Sequence, residues 1–185
     1  MSTSTIILIV TGIVLILIYN SLIHAKNQVD NVFAGVDTVL KKRYNLIPNL
    51  IASISKYMEH EKLLLNELTK LRSEATKAHL SSDKKVSLDA KFSSTLSSLM
   101  VNMEAYPELK ADKNIMHLQH TLNEIEEQIS AARRAYNQAV TDYNNALEMI
   151  PTNILASFLK YRKKELFQIH ESERKNVNVK ELFNS

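Results

Sequence analysis

The residues from Ile115 to Ile150 carry the longest regular pattern in the chain. Apolar side chains recur there at alternating spacings of three and four residues, over about five heptads. The members of this seam are Ile115, Leu118, Leu122, Ile125, Ile129, Ala132, Tyr136, Ala139, Tyr143, Ala146 and Ile150. The pattern predicts one helix of about 55 Å, and a helix of that length needs other long helices alongside to cover its seam.

Polar residues accompany this seam along one edge. Tyr136 and Tyr143 stand seven residues apart, and each is followed by an asparagine, Asn137 or Asn144. Arg133 and Arg134 lie just before the first of these pairs. We interpret this edge as a feature that sets the register between packed helices, with a coiled-coil character along the seam.

The composition restricts the fold to helices. The chain has 185 residues with only two glycines and three prolines, and runs of β-branched residues bounded by turn residues do not occur. Because there is no cysteine, structural disulfides and thiolate metal or redox sites are excluded. The net charge of +3 is mild, and no glycine-rich loop, zinc pattern or aromatic and basic platform accompanies it, so we expect no binding of nucleic acid.

The N-terminal segment is suited to a membrane. Residues 6–18 are almost entirely apolar, and no Asp, Glu, Lys, Arg or His lies between Met1 and His24. About 19 residues are therefore available to cross a bilayer of roughly 30 Å. A cleaved signal peptide is the alternative, but no basic segment precedes the apolar run and no small-x-small cleavage site follows it. We predict an uncleaved transmembrane anchor over residues 1–25.

The distribution of positive charge predicts the orientation of this anchor. No basic residue precedes it, whereas Lys26, Lys41, Lys42 and Arg43 follow it. Positive residues favour the cytoplasmic side of a membrane. We therefore expect a single-pass membrane protein, with its N-terminus outside and its C-terminal part in the cytoplasm.

The anchor helix should continue into the part of the chain outside the membrane. A helical seam that includes Val29, Val36 and Ile47 runs on with no breaker before Pro48. Pro48 either kinks the rod or ends it, and a helical stripe then continues to about residue 79. Phe33 leans beside the seam, so this proximal rod carries apolar residues on more than one side. We expect contacts between copies to cover them.

Two capping signals place the next helices. The serines and the aspartate at residues 81–83 predict the start of a helix that ends before Pro107. We interpret residues 106–109 as a turn, and Asp112 as the N-cap of the long helix that follows.

The last helix is predicted to begin at Thr152 or Asn153 and to hold apolar residues as far as Phe167. A polar tail over residues 171–185 would follow it. The predicted fold is thus all-α, with an N-terminal transmembrane helix and an antiparallel four-helix bundle of long helices over residues 26–170. A break at Pro48 would make five bundle helices in place of four.

The chain resembles the LemA family of bacterial membrane-anchored proteins in three blocks of residues. The first block is Asn27-Gln28-Val29-Asp30, Val36-Asp37, Leu40, Arg43, Leu46-Ile47-Pro48-Asn49-Leu50 and His60-Glu61. The second is Tyr106-Pro107-Glu108-Leu109-Lys110-Ala111, Asn114, Leu118-Gln119 and Leu122. The third is Arg133-Arg134, Tyr136-Asn137, Ala139-Val140, Tyr143-Asn144, Pro151 and Ala156.

The resemblance implies a single N-terminal span, an antiparallel four-helix bundle and no established catalytic activity. Family members have been linked to membrane and vesicle organisation and occur beside membrane proteases. The chain departs from the usual family pattern at Phe33, where tryptophan is common, and at Lys160-Tyr161, where Gly-Phe is common. These departures concern local packing.

Sequence motifs for catalysis and metal binding are incomplete. None of the six histidines has a glutamate three residues before it, as ferritin-like di-iron sites require. His60-Glu61 begins a zincin-like pattern, but the position of the second histidine is occupied by Leu64. The spacing of His117 and His120 allows a bidentate pair, although no carboxylate at helical spacing completes a ligand shell. We therefore predict neither catalytic residues nor a metal or other cofactor.

The remaining candidate residues are polar side chains on two helices. We expect Asp30, Asp37 and Arg43 of the first helix to face the set Arg134, Asn137 and Asn144 of the long one, with Pro48, Tyr136 and Tyr143 as further structural or interaction candidates. If the two sets are paired, removal of Asp37 or Arg134 leaves a polar partner stranded and costs more than about 1 kcal/mol.

Three functions are compatible with these features. The first is a non-enzymatic membrane-anchored scaffold that organises membrane or membrane proteins by homo-oligomerisation. The second is an adaptor that presents a bundle surface to a membrane protease or signalling partner. The third, a hydrolase or metal enzyme, has the weakest support. The expected partners are the lipid bilayer, further copies of the chain and other membrane proteins, and a basic cluster at residues 160–164 is available to anionic headgroups.

Overall fold

The structure is a computed structural model that describes residues 2–167. Over this range the chain is helical and has no strand, which confirms the predicted helical class. The helices are α1 (Thr3–Ile54), α2 (Lys62–Ala75), α3 (Ser82–Met103), α4 (Pro107–Ala111), α5 (Lys113–Glu148) and α6 (Thr152–Phe158), with a 3-10 turn at Glu59–Glu61 before α2. The predicted polar tail lies outside the described residues.

Helix α1 is one continuous helix of 52 residues. Its N-terminal part is long and apolar enough to cross a membrane, and the large apolar side chains from Ile6 to Leu17 are exposed. Further along the same helix Val29, Val36 and Leu40 are fully buried. The predicted continuity between the apolar segment and the first helix of the folded body is thus confirmed.

Pro48 lies inside α1 and does not end it. Proline has no N–H, so the carbonyl of Tyr44, four residues earlier, loses its helical partner. The Nε of Arg72 on α2 donates a hydrogen bond of 2.9 Å to this carbonyl oxygen. The helix continues as far as Ile54, and the interruption between α1 and α2 follows there. The predicted single stripe to residue 79 is therefore wrong.

Helix α2 packs against α1 and α3. Helix α3 reaches α1 through side chains, including the ion pair between Lys85 and Asp37. Ser81 is the N-cap of α3, and its hydroxyl accepts a hydrogen bond of 3.3 Å from the Lys84 N–H, as predicted from the capping signal. The apolar side of α3 places Phe92 in contact with Tyr44 of α1, with ring centroids 4.9 Å apart.

Helix α5 confirms the prediction of one long helix. The Asp112 carboxylate caps it by accepting hydrogen bonds from the backbone N–H groups of Asn114 and Ile115, at 2.8 and 3.3 Å. The helix runs antiparallel to α1, because Phe33 packs on Tyr136 at 5.4 Å and Arg43 pairs with Glu126 at 2.7 Å. Arg43 is ten residues after Phe33 on α1, and Glu126 is ten residues before Tyr136 on α5, so both contacts belong to one antiparallel register.

The C-terminal helix is shorter than its apolar spacing predicted, since α6 ends at Phe158. Lys160 adopts a left-handed conformation with φ of 55°. The N–H groups of Lys160 and Tyr161 bond back to the carbonyls of Ser157 and Ala156 at 3.1 and 3.0 Å, which is a Schellman motif that ends a helix. Residues 161–167 are therefore not helical, and the predicted helix up to Phe167 is wrong.

Two further expectations are corrected. Residues 107–111 form a short helix, α4, in place of the predicted turn, with Pro107 at its start. Proline suits that position because its missing N–H has no partner there in any case. The apolar residues of the proximal rod are covered within one chain, since Val29 and Val36 are buried and Phe33 is partly buried. A second copy is therefore not needed to cover them, and the expectation of contacts between copies at this rod has lost its basis.

We predict that Arg72→Met lowers the free energy of unfolding by about 1 kcal/mol, because it leaves the Tyr44 carbonyl without a partner. The loss should shrink in a Pro48→Ala background, where the new N–H at residue 48 bonds the same carbonyl. Urea unfolding of the detergent-solubilised protein, followed by the near-ultraviolet circular dichroism of its tyrosines, measures both. Lys70→Met on the exposed side of α2 is the control, and equal losses in the two backgrounds would refute this role for Arg72.

Candidate functional site

A cluster of charged side chains joins three helices inside the body. It consists of Arg43 from α1, Asp89 and Ser93 from α3, and Glu126 and Arg133 from α5. Arg43 and Asp89 are almost completely buried. One carboxylate oxygen of Asp89 accepts a hydrogen bond from Arg43, and the other accepts two from Arg133, at 2.7 and 3.1 Å. Asp89 is therefore shared by two arginines.

Further contacts bind the same arginines, although the buried Nε of Arg43 has no hydrogen-bond partner among the described residues. Arg43 donates to Ser93 Oγ at 2.9 Å and to Glu126 at 2.7 Å, and Arg133 donates to Ser93 Oγ at 3.1 Å. The cluster holds two positive and two negative groups, so its charges balance. Paired and hydrogen-bonded charges of this kind tolerate burial, whereas an unpaired one does not.

Burial and the charges of the cluster shift the pKa values of Arg43, a member of the cluster, and of its neighbour Tyr44. Burial alone would lower the pKa of Arg43, but the carboxylates of Asp89 and Glu126 outweigh it and raise this pKa. Burial, together with the nearby Asp89 carboxylate, raises the pKa of Tyr44 to about 12. The arginine therefore stays charged and the tyrosine neutral at physiological pH.

The C-terminal strap, residues 161–167, lies along α5 and is held by two asparagines. Asn144 Oδ1 accepts a hydrogen bond from the Lys164 N–H, and its Nδ2 donates to the Lys164 carbonyl, both at 3.0 Å. Asn137 repeats the arrangement with Phe167, at 2.8 and 3.0 Å. Each side-chain amide thus binds both backbone groups of one strap residue.

The spacing of the two asparagines matches an extended chain. Seven residues along a helix correspond to about 10.5 Å. Phe167 follows Lys164 by three residues, and three steps along the chain cover this distance only at about 3.5 Å each, which is the reach of extended backbone. The Tyr143 hydroxyl adds a third contact by donating to the Arg162 carbonyl at 3.2 Å. These contacts recognise the main chain of the strap and not its side chains.

Side chains of the strap complete the contact with α1. Lys164 pairs with Asp30 at 2.7 Å, and the Lys26 ammonium lies 5.5 Å from the centre of the Tyr161 ring. The Phe167 ring is buried, and its centroid lies 5.2 Å from that of Tyr136. The strap therefore lies against both α1 and α5, and it runs antiparallel to α5.

The structure places the predicted polar residues differently from the predicted pairing. Arg43 lies in the charged cluster, Asp37 pairs with Lys85 of α3, and Asp30 pairs with the strap. Arg134 is exposed, and its one side-chain hydrogen bond within residues 2–167 is to Ser130 of its own helix, at 3.2 Å. None of the three first-helix residues forms a hydrogen bond or ion pair with Arg134, Asn137 or Asn144, so the expected pairing is wrong.

Arg133, not Arg134, is the arginine of α5 that faces the body. It follows Ile129 by four residues and precedes Tyr136 by three, so it lies on the apolar seam, whereas Arg134 is turned by about 100° toward solvent. Asp89 carries a similar signal, because it stands three residues before Phe92 on the buried side of α3. A charge inside an apolar stripe was the sequence signal for this cluster.

Residues 2–167 contain no group of three or more His, Cys, Asp or Glu residues that could hold a metal ion. His117 and His120 are exposed on α5. Nδ1 of His120 lies 3.6 Å from the carboxylate of Glu124. The arrangement is that of a surface pair.

The fold and the buried contacts describe a membrane-associated helical protein whose first helix combines an apolar N-terminal segment with the folded body. The family model of the LemA family matches residues 32–180. The chain belongs to the LemA family.

Relatives agree with this assignment. Protein LemA of Metamycoplasma hominis is 27% identical over 165 residues, which cover 89% of this chain and 75% of that protein. The magnetosome proteins MamQ 1 and MamQ 2 of Paramagnetospirillum magneticum are each 32% identical over 80 residues, which cover 43% of this chain but only 29% of theirs. The similarity to the MamQ proteins is thus confined to a part of each chain.

We predict that Asp89→Ala lowers the free energy of unfolding by about 3–5 kcal/mol, because it leaves Arg43 buried without its main partner. Arg134→Ala should change it by less than about 0.5 kcal/mol, since that side chain is exposed. Asp37→Ala, which breaks a partly exposed pair with Lys85, should cost no more than about 1 kcal/mol. Urea unfolding compares the three variants. A similar loss for Asp89→Ala and Arg134→Ala would contradict the assignment of the buried cluster.

We also predict that Asn137→Ala and Asn144→Ala release the strap. Backbone amide exchange at Lys164 and Phe167 should accelerate by about tenfold or more, because each variant removes two hydrogen bonds worth on the order of 1 kcal/mol each. Hydrogen exchange measured by mass spectrometry over residues 161–167 reports this change. Asn145→Ala, at the exposed neighbouring position, is the control, and equal exchange in all variants would show that the asparagines do not hold the strap.

Proposed function

We propose that this protein is a non-enzymatic, membrane-anchored helical scaffold that organises membrane or membrane proteins through homo-oligomers. The supporting observation is the continuity of α1, which carries the apolar segment and the buried core residues in one helix. An anchor joined to the body without a flexible linker transmits the position of the body to the membrane. This property suits a scaffold.

The proposed scaffold is a four-helix bundle on a transmembrane anchor. Helices α1, α2, α3 and α5 are the four long members of an antiparallel bundle, with α1 as an uncleaved transmembrane anchor. The basic residues after the apolar segment favour an orientation with the N-terminus outside and the bundle in the cytoplasm of a bacterial cell. Arg72 supports the proposal by bracing α1 at Pro48, so that the rod stays helical beyond the proline.

In this proposal, the surface that joins the copies is the end of the body far from the anchor. Leu63, Val101 and Met116 are exposed large apolar residues at the start of α2, the end of α3 and the start of α5. The Tyr106 hydroxyl bonds Glu61 at 2.8 Å, which brings the ends of these helices together. Anchoring holds all copies at one height and in two dimensions, so equivalent surfaces meet at raised effective concentration.

The alternative is an adaptor for a membrane protease or a signalling partner. The observation that favours it is the asparagine clamp, because Asn137 and Asn144 bind main-chain groups that any extended segment offers. A partner segment would then replace the strap. Recovery of a protein partner that depends on Asn137 and Asn144 distinguishes this function from self-association.

We predict that full-length protein in native membrane particles contains more than one copy. Single-molecule photobleaching of the labelled protein counts the copies, and Leu63→Gln combined with Val101→Gln should return the count to one. The two side chains are exposed, so the free energy of unfolding should change by less than about 0.5 kcal/mol each. Gln128→Ala on the exposed side of α5 is the control. Single copies of the unsubstituted protein would rule out the scaffold by self-association and leave the adaptor.

A further inference from the structure

Four exposed apolar side chains lie close together in the turn after α5 and on the helix α6 that follows it. Met149, Ile150, Ile154 and Phe158 are 63%, 81%, 71% and 83% exposed. Ile154 and Phe158 are four residues apart on α6 and so share one face. We call residues 149–158 the apolar tip. Four large apolar residues left uncovered within ten positions mark a surface that contacts something other than water.

The register between α1 and α5 places the apolar tip beside the end of the apolar segment. Phe33 packs on Tyr136 and Arg43 pairs with Glu126 in one antiparallel register. Glu148 is twelve residues beyond Tyr136, and Ser21 is twelve residues before Phe33. The last residue of α5 therefore lies level with Ser21, and the tip begins just beyond it.

Packing holds the tip in this place. Helix α6 contacts both α1 and α5, and Ala156 of α6 and Leu22 of α1 are both buried. The Schellman turn then directs the chain to Tyr161, whose ring lies 5.5 Å from the Lys26 ammonium. Because the strap continues from that point along α1, the tip is held between the end of α5 and the part of α1 that precedes Lys26.

This level on α1 corresponds to the surface of a bilayer that contains its N-terminal segment. The twenty residues from Thr3 to Leu22 span about 30 Å as a helix, which is the thickness of the hydrocarbon core. Tyr19 is exposed one turn before Leu22, as is common for tyrosines at the membrane interface. The exposed face of α6 thus lies where acyl chains meet headgroups.

The charges beside the tip agree with a lipid surface. Lys160 and Arg162 are exposed, and within residues 2–167 neither forms an ion pair. Lys163 pairs with Glu148 and Lys164 with Asp30, so the acidic residues nearby are largely balanced. Each basic residue close to an anionic surface contributes roughly 1 kcal/mol. Apolar side chains beside exposed cations are typical of elements that lie in the membrane interface.

We propose that the apolar tip inserts into the membrane interface and forms a second lipid contact beside the anchor. The occupant of this surface is lipid because every anchored copy meets lipid at this height, whereas a second copy is met only on assembly. Two contacts restrict the tilt and rotation of the body, which a single helix does not. The inference rests on the proposed membrane anchoring of α1.

The chain has no cysteine, so single labels can be placed without background. The experiment uses full-length protein, one chain per nanodisc of phosphatidylcholine and phosphatidylglycerol. An environment-sensitive fluorophore is attached at Phe158→Cys or Ile154→Cys, with Gln128→Cys in the middle of α5 as the water-exposed control and Leu15→Cys as the anchor control. All four positions lie on exposed or partly exposed surface, so the labels disturb no packed core.

We expect the labels at residues 154 and 158 to show a blue-shifted, several-fold brighter emission than the label at residue 128, and to be quenched by lipids that carry a shallow quencher. A label at residue 158 that behaves like residue 128, while residue 15 reports lipid, overturns this inference and leaves the anchor intact. Water exposure of residue 15 as well overturns the anchor and the inference together. A shift at residue 158 that occurs only with two chains per disc assigns the tip to contact between copies and refutes the lipid contact.

Discussion

The shared use of Asp89 by two arginines is the constraint on which the arrangement of helices depends. Arg43 and Arg133 come from α1 and α5, and each must place its guanidinium beside one buried carboxylate of α3. A shift of one helix by a turn would leave a buried charge without a partner, which costs several kcal/mol. Apolar packing alone tolerates more sliding, so the cluster selects one register from those that the seams permit.

Because α1 is continuous, that register also fixes the position of the body relative to the apolar segment that we propose as the membrane anchor. Pro48 would normally weaken a helix at this point, but Arg72 supplies the donor that the proline lacks. The interruption instead comes at Ile54, beyond the levels of Arg43 and Tyr44 that face α3. The position of α5 relative to α1 therefore also sets the height of the turn after α5.

Sequence periodicity and capping residues were sufficient to predict the helices that depend on local interactions. The seam of α5, the cap at Asp112 and the cap at Ser81 follow from spacing and capping chemistry. The region after Phe158 was not predictable in this way, because its apolar residues keep a helical spacing. Its conformation depends on a left-handed Lys160 and on hydrogen bonds from Asn137 and Asn144, which come from a different helix. Similarly, Arg133 and Arg134 are neighbours with the same side chain, and they differ only in position, because Arg133 lies on the apolar seam and Arg134 does not.

The tyrosine and asparagine repeat on α5 acquires a specific meaning from this geometry. A seven-residue interval on a helix equals three residues of extended chain, so the two asparagines define the position of the strap to within one residue. The strap begins where α6 ends, and α6 begins where α5 ends. The apolar tip is consequently held at both of its ends by α5, first through the covalent turn after Glu148 and again through the clamp at Asn144. In the proposed lipid contact, the residues that bind the strap thereby also determine how the apolar tip meets the membrane.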